Sequence, residues 1–413
     1  MRSEEIVAVG SLAGDAAGGL ATRIHDMHHG IAERVFESIG PAAEPVRLIH
    51  DGVSKGIYAA VSAGTNALVR AGAVTFSVVT PPEAPSVTDS RGGRLAIGAL
   101  NGAFGDLLER RRNALQVRMT FRHGDRDLAL TPEGLAAALP RAKPRVALFL
   151  HGLCESDAAW KLRDSRYVPY GFRLETEAGY TSLYLNYNSG RHISENGREL
   201  SAQLAQLLEA WPVEIGELAL IGHSMGGLVA RSACHYGARS EWAGKVRHVF
   251  TLGAPHLGAP LEQLTNRASV RLARLPETHG IAQTLNLRSA GIKDLRYGYL
   301  IDEDWFGHDP DVYLHRAGAE IPFLETANHY FVCATLARNH DARSARIIGD
   351  LLVLHASAWG HAGGERLRFP VDHYRHVGGA THFDLLNHPV IYDQIRCWLQ
   401  SRKQLPAGSA QRP

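Results

Sequence analysis

Ser224 is the residue around which chemistry can be built. It stands in Leu218-Ala219-Leu220-Ile221-Gly222-His223-Ser224-Met225-Gly226-Gly227-Leu228-Val229-Ala230-Arg231, an apolar run, a sharp turn and a helix of small residues. The G-x-S-x-G spacing is that of a nucleophile elbow, which presents a serine hydroxyl on a strained strand-to-helix turn. Gly222 and Gly226 leave room where strand and helix would collide, and Gly227, Ala230 and Ala233 let the helix lie close on its sheet. The first N–H groups of a helix have no intrahelical acceptor, so Met225 N–H is free to hold an oxyanion. A bare G-x-S-x-G occurs by chance. The apolar strand before it and the glycine-alanine helix after it favour the catalytic reading over an inert buried turn.

A serine hydroxyl attacks only when a histidine takes its proton, and that histidine needs a carboxylate to fix its tautomer. With 22 histidines in the chain, type alone selects none of them, and position must decide. His382 follows the pair Gly378-Gly379 in a loop before the last helix, whereas its rival His376 belongs to the preceding strand. Asp350, in Ile348-Gly349-Asp350-Leu351-Leu352-Val353, comes one connection after a buried strand at Tyr330; Asp294, Asp302 and Asp304 are its rivals. The resulting order, Ser224, Asp350, His382, is that of hydrolases built on an elbow. The N–H of Leu153 is the second oxyanion donor, because His151-Gly152 ends an apolar strand and glycine lets the backbone turn toward the site.

The elements that must position these groups follow from periodicity. Val117, Met119 and Phe121 alternate with polar residues ahead of a hairpin turn at His123-Gly124-Asp125-Arg126. Continuous apolar runs at 145–150, 181–187, 218–222, 246–252 and 330–335 fit parallel strands buried on both faces. Helices intervene, one with Leu200, Leu204, Leu207, Leu208 and Trp211 on its buried side and a last one with Ile391, Ile395, Trp398 and Leu399. The expected fold is α/β, a mostly parallel central sheet with helices on both faces. The stretch from about 256 to 328 is too long for a simple crossover and reads as a lid-like insertion above the strand ends, with Leu261, Leu264, Leu272 and Leu275 as its apolar side chains. Residues 1–112 read as a helical N-terminal extension with a proline-rich linker at about 74–93, followed by the catalytic domain at 113–404 and a loose tail at 405–413. Ile24, Met27, Ile31 and Val35 lie at helical spacing in that extension; packing on the insertion, a peripheral membrane contact, and simple addition to the core are all open to this helix.

The chain resembles bacterial α/β-hydrolases of the lipase and GPI inositol-deacylase-like group. The stretches that carry the resemblance are His151-Gly152-Leu153, Asn186-Tyr187-Asn188-Ser189-Gly190, Gly222-His223-Ser224-Met225-Gly226-Gly227, Leu252-Gly253-Ala254-Pro255-His256-Leu257-Gly258-Ala259-Pro260, Gly349-Asp350 and His382-Phe383-Asp384-Leu385-Leu386. It implies an α/β-hydrolase fold and a cofactor-free, metal-free carboxylesterase with Ser224, Asp350 and His382 at the matching positions. Where relatives usually read Gly-Asp-Gly-Leu-Val-Pro, this chain has Gly349-Asp350-Leu351-Leu352-Val353-Leu354.

Composition frames the rest. The 413 residues carry a formal charge of +2 with no basic block, which gives no footprint for nucleic acid. The four cysteines lack C-x-x-C spacing and read as buried free thiols in a reducing compartment. Acids near Met1 and the absence of a long apolar run point to a cytoplasmic protein. A small-molecule or lipid ester is the expected substrate. Acyl transfer at the same site and a non-catalytic binding module are the competing functions, and the sequence leaves the oligomeric state open.

Overall fold

The computed structural model describes residues 1–39, 44–78, 80–81, 83–161, 167–274, 276–311, 318–338, 350, 352–358, 361–362, 365–367 and 370–400. The chain opens with two long helices, α1 (Ser3–Ile39) and α2 (Glu44–Val78). Gly10 lies against Ala73 and Gly14 against Asn66, so the two run antiparallel. Asp15 pairs with Arg70 across them at 2.5 Å. The side chains of Ile24, Met27, Ile31 and Val35 lie outside the described part, as does the tail at 405–413. α2 continues to Val78 and α3 (Arg91–Arg110) begins three residues before Arg94, so helix intrudes on both ends of the expected linker.

From Thr120 strands and helices alternate: β1 (Thr120–His123), β2 (Arg126–Asp127), α4 (Pro132–Ala138), β3 (Arg145–Leu150), α5 (Tyr170–Glu177), β4 (Thr181–Asn186), α6 (Ile193–Ala210), β5 (Glu217–His223), α7 (Met225–Tyr236) and β6 (Val246–Leu252). Among the described residues three helices then intervene, α8 (Pro260–Leu272), α9 (Pro276–Asn286) and α10 (Ala290–Asp294), before β7 (Asn328–Thr335). A short helix α11 (His355–Ala358), a small hairpin β8 (His361–Ala362) and β9 (Glu365–Arg366), then β10 (Tyr374–Gly378) and α12 (Pro389–Gln400) complete the described chain.

Eight strands form one sheet in the order β10-β7-β6-β5-β3-β4-β1-β2. The six from β10 to β4 are parallel, and the β1–β2 hairpin is added antiparallel at the β4 edge. The apolar runs become these strands because both faces are covered. On β3, Val146, Leu148 and Leu150 join one core with Leu200, Leu204 and Leu207 of α6 and with α7. Ala147 and Phe149 join the opposite core with Leu174 of α5 and Ile391, Ile395 and Trp398 of α12. Each such aliphatic side chain contributes about 1.5–3 kcal/mol by leaving water. The parallel register brings every strand's carboxyl end to one edge, with β5 near its middle. The architecture is thus an α/β-hydrolase fold with an N-terminal helical region.

α3 packs on this core. Asn101 donates its amide to the carbonyls of Ile97 (2.9 Å) and Leu115 (2.8 Å) and accepts from Val117 N–H (2.9 Å), tying α3 to the approach of β1. Fully buried Asp157 faces Arg94 of α3 and Arg122 of β1 at 3.6 and 3.2 Å. The expectation of four buried thiols needs correction: none of the four is in a disulfide, but Cys154 is half-buried and Cys397 is exposed. Cys397 sits on the solvent side of α12, whose buried stripe is taken by Ile391, Ile395, Trp398 and Leu399. Among the described residues no helix is long and apolar enough to cross a membrane.

Candidate active site

β5 ends at His223, and the chain turns into α7 through Ser224, whose backbone has φ 52° and ψ −124°. A non-glycine residue held there is strained, and the surroundings enforce it. Ser224 N–H donates to Leu252 O of β6 at 2.8 Å. A Cβ on Gly222 would come within 2.4 Å of Gly227 N, and one on Gly226 within 2.4 Å of Leu150 O. The glycines at these two positions are therefore what allow α7 to start directly above β5 and β3.

The candidate acid and base meet beside this turn. Asp350 and His382 are both almost fully buried, and His382 Nδ1–H donates to Asp350 Oδ2 at 2.7 Å. Asp350 Oδ1 accepts the N–H groups of Leu352 and Val353 at 3.1 and 2.8 Å. His382 N–H donates to Asp350 O at 3.1 Å, so backbone and side chain both join the two loops. This leaves the Nε2 edge of His382 for the cavity, of about 280 Å³, that it lines together with Ser224.

The rivals are occupied elsewhere. His376, on β10, bonds Thr335 Oγ1 through Nε2 at 2.8 Å. Asp294 bonds His192 Nδ1 at 2.9 Å and accepts Ile193 N–H at 2.9 Å. Asp302 pairs with Arg198, and Asp304 accepts the N–H groups of Leu300 and Ile301. Asp384 accepts the N–H and hydroxyl of Thr381, a cap on the turn that carries His382.

The loop after β3 supplies Leu153 to the same cavity. His151 stacks on Tyr187, its ring centroid 4.2 Å away. Its Nε2 accepts Tyr187 N–H at 3.4 Å, so the proton sits on Nδ1, which donates to Gly152 O at 2.8 Å. Burial pushes this imidazole below the usual histidine range, in keeping with a neutral ring. In a trans peptide the N–H points opposite the C=O, so holding Gly152 O against His151 turns Leu153 N–H the other way. At the elbow, Met225 N–H is the first of α7.

Two buried groups that the sequence alone did not single out lie beneath. Glu155 accepts Gly152 N–H at 2.6 Å and faces His223 Nδ1 at 3.1 Å. His223 Nε2 is 3.2 Å from the His382 carbonyl. Burial alone would lower the His223 pKa, but the charge and hydrogen bond of Glu155 outweigh it and hold the ring above the usual histidine range. Burial likewise raises the Glu155 pKa, and His223 with Gly152 N–H brings it below the usual carboxylate range. The signal for this pair is an acid three residues beyond a His-Gly strand end, opposite a histidine inside the elbow. Both look unremarkable until the loops are folded together.

The insertion contributes Ala259, Glu262, Thr265, Arg288, Ile292 and Leu295 to the cavity wall. This corrects the expected apolar set. Leu264 is 60% exposed and faces solvent, Leu272 is half-buried, and the side chains of Leu261 and Leu275 lie outside the described part. The inner face of α8 instead brings Glu262, which binds Arg288 at 2.9 Å and Arg296 at 3.0 Å. In the stretch 252–260, Arg231 of α7 donates to His256 Nδ1 at 3.1 Å, and His256 Nε2–H then donates to Thr251 Oγ1 at 3.2 Å. That chain of bonds pins the base of the insertion to α7.

A family model described as the PGAP1-like alpha/beta domain matches residues 142–315, which include the elbow and most of the insertion. By fold the chain is an α/β-hydrolase, and over this stretch it is similar to the PGAP1-like domain. No curated protein matches it by sequence. Among solved structures it is similar to the mature lipase BlEst2 of Bacillus licheniformis, at 18% identity, TM-score 0.40, over 63% of this chain and 93% of that one. EstA of Clostridium botulinum aligns at 12% identity, TM-score 0.36, over 62% of this chain and 86% of the other. An ester hydrolase from the metagenome of Lake Arreo aligns at 13% identity, TM-score 0.33, over 79% and 94%.

Proposed function

We propose that the protein is a serine hydrolase that cleaves carboxylic esters through an acyl-serine intermediate. The observation that carries this reading is the buried Asp350–His382 hydrogen bond of 2.7 Å at the rim of the cavity that holds Ser224 on its strained turn. In this reading Ser224 Oγ attacks the ester carbonyl while His382 Nε2 takes its proton. Asp350 keeps the His382 proton on Nδ1 and stabilises the imidazolium as it forms. The N–H groups of Leu153 and Met225 take the negative oxygen of the tetrahedral intermediate. His382 then returns its proton to the departing alcohol, and water enters by the same steps to release the acid. Eight of the cavity's fourteen lining residues are apolar, which suits an acyl group, and the substrate is a small-molecule or lipid ester.

Ser224→Ala tests this directly. Hydrolysis of p-nitrophenyl butyrate is expected to fall by about a millionfold, as when a nucleophile is removed from an established triad. Labelling by a fluorophosphonate probe is expected to vanish with it. Ester turnover persisting in pure Ser224→Ala protein, or failure of the probe to label the wild type, overturns the assignment.

A further inference from the structure

We propose that Glu155 and His223 are positioning residues for ester cleavage: as a buried carboxylate–imidazolium pair they fasten the oxyanion loop to the loop that carries His382. The inference rests on the serine-hydrolase reading above.

The geometry decides the protonation. His223 Nδ1 faces a Glu155 carboxylate oxygen at 3.1 Å, and Nε2 faces the His382 backbone carbonyl at 3.2 Å. Both neighbours are acceptors, so both ring nitrogens need a hydrogen, and only imidazolium has two. A neutral ring would set a lone pair against one of the oxygens. The other titratable groups around His223 agree. His151, at the end of β3, uses its one proton on Gly152 O. His382 and, behind it, Asp350 are engaged with each other. The rings of Trp160 and Phe383 pack at the sides of His223 and exclude water.

The pair acts on the reaction through the peptide it holds. Gly152 N–H is fixed by Glu155 at 2.6 Å and Gly152 O by His151 at 2.8 Å, so the direction of Leu153 N–H is set from both sides. α3 backs the same loop from outside. A Cβ on Gly98 would lie 2.3 Å from Glu155 O, and one on Gly102 would lie 2.6 Å from Cys154 N. Cys154 between them has φ 60°, a conformation that needs support from neighbours. His223 joins this clamped loop to the carbonyl of the base. Since its folded pKa lies above the ordinary value, the bridge is complete at low pH and is lost as pH rises through that pKa. An oxyanion donor acts on the transition state more than on bound ester, so the loss falls on kcat rather than KM.

The test compares Glu155→Gln and Glu155→Leu with the wild type, by kcat and KM for p-nitrophenyl butyrate across pH. The histidine ¹⁵N shifts of the full chain are followed in parallel. Glutamine keeps an oxygen for Gly152 N–H and offers an N–H to His223 Nδ1, so a neutral His223 still bonds the His382 carbonyl. Glu155→Gln is expected to keep kcat within about tenfold of wild type and to abolish the fall in kcat at high pH. Glu155→Leu is expected to lose kcat by about a hundredfold with KM within threefold, the cost of one misaligned oxyanion donor. In the wild type His223 is expected to titrate above a free histidine, and in Glu155→Gln it is not. A high-pH limb shared by wild type and Glu155→Gln, or a His223 that is neutral wherever free histidine is neutral, overturns the proposal. If Glu155→Leu does not fold, those two results still decide it. Absence of Ser224-dependent hydrolysis in the wild type defeats the underlying reading, and the ¹⁵N titration then reports on the ion pair separately.

Discussion

Replacing Asp350 by asparagine changes one atom and, by the geometry around it, the tautomer of His382. Asp350 Oδ1 accepts two backbone N–H groups, from Leu352 at 3.1 Å and Val353 at 2.8 Å, while Oδ2 accepts His382 Nδ1–H at 2.7 Å. An asparagine amide has one acceptor oxygen and one NH₂. Turning NH₂ toward Leu352 and Val353 would oppose three donors in a buried site, so the oxygen stays with the two N–H groups and the NH₂ faces His382. His382 Nδ1 must then present its lone pair, and the ring proton moves to Nε2, the nitrogen that in the proposed mechanism takes the Ser224 proton. A base that already carries a proton there cannot take another. The expected loss in kcat is about 10⁴-fold, close to 5.5 kcal/mol in the barrier, as for the same exchange in established triads. The assay is kcat for p-nitrophenyl butyrate together with the rate of fluorophosphonate labelling, with the thermal melt as a check on folding. Asp302→Asn, in the insertion and away from the cavity, serves as the control and is expected within threefold of wild type. A folded Asp350→Asn protein within tenfold of wild-type kcat would refute the argument, and a larger loss in Asp302→Asn would move the acid to the insertion.

Asp157→Ala leaves Arg94 and Arg122 almost fully buried with the exposed carboxylates of Asp125 and Asp127 as their remaining ion-pair partners, and about 3 kcal/mol of stability is expected to be lost. Urea denaturation measures it, and a loss below 1 kcal/mol would mean that the exposed acids suffice. At the insertion wall, Ile292→Trp narrows the cavity beside Leu295 and is expected to lower kcat/KM for decanoate at least tenfold more than for acetate. Equal effects on the two esters would show that the insertion does not bound the acyl group.

What the sequence by itself determined is what neighbours along the chain decide. The apolar runs had to become strands covered on both faces, and the small residues around Ser224 had to permit a turn that larger ones forbid. That β6 and β7 are joined by more than a simple crossover was legible from the length of the connection. Tertiary structure decided the rest, because it depends on which distant side chains the register brings together. Asp350 and His382 are 32 residues apart and meet only because their loops follow β7 and β10, paired in parallel at one sheet edge. Glu155 and His223 are 68 apart and become partners where adjacent β3 and β5 end side by side. The sequence marked apolar residues in the insertion but neither α8 itself nor the face it turns inward. The fold placed Glu262 and Thr265 on the cavity and left Leu264 in water, since Arg288 and Arg296 supply the charges that let Glu262 be buried. α3, which looked like part of a separate extension, is held to the hydrolase core by the long-range bonds of Asn101 and by close contact with residues 154–155, and no local pattern encodes either.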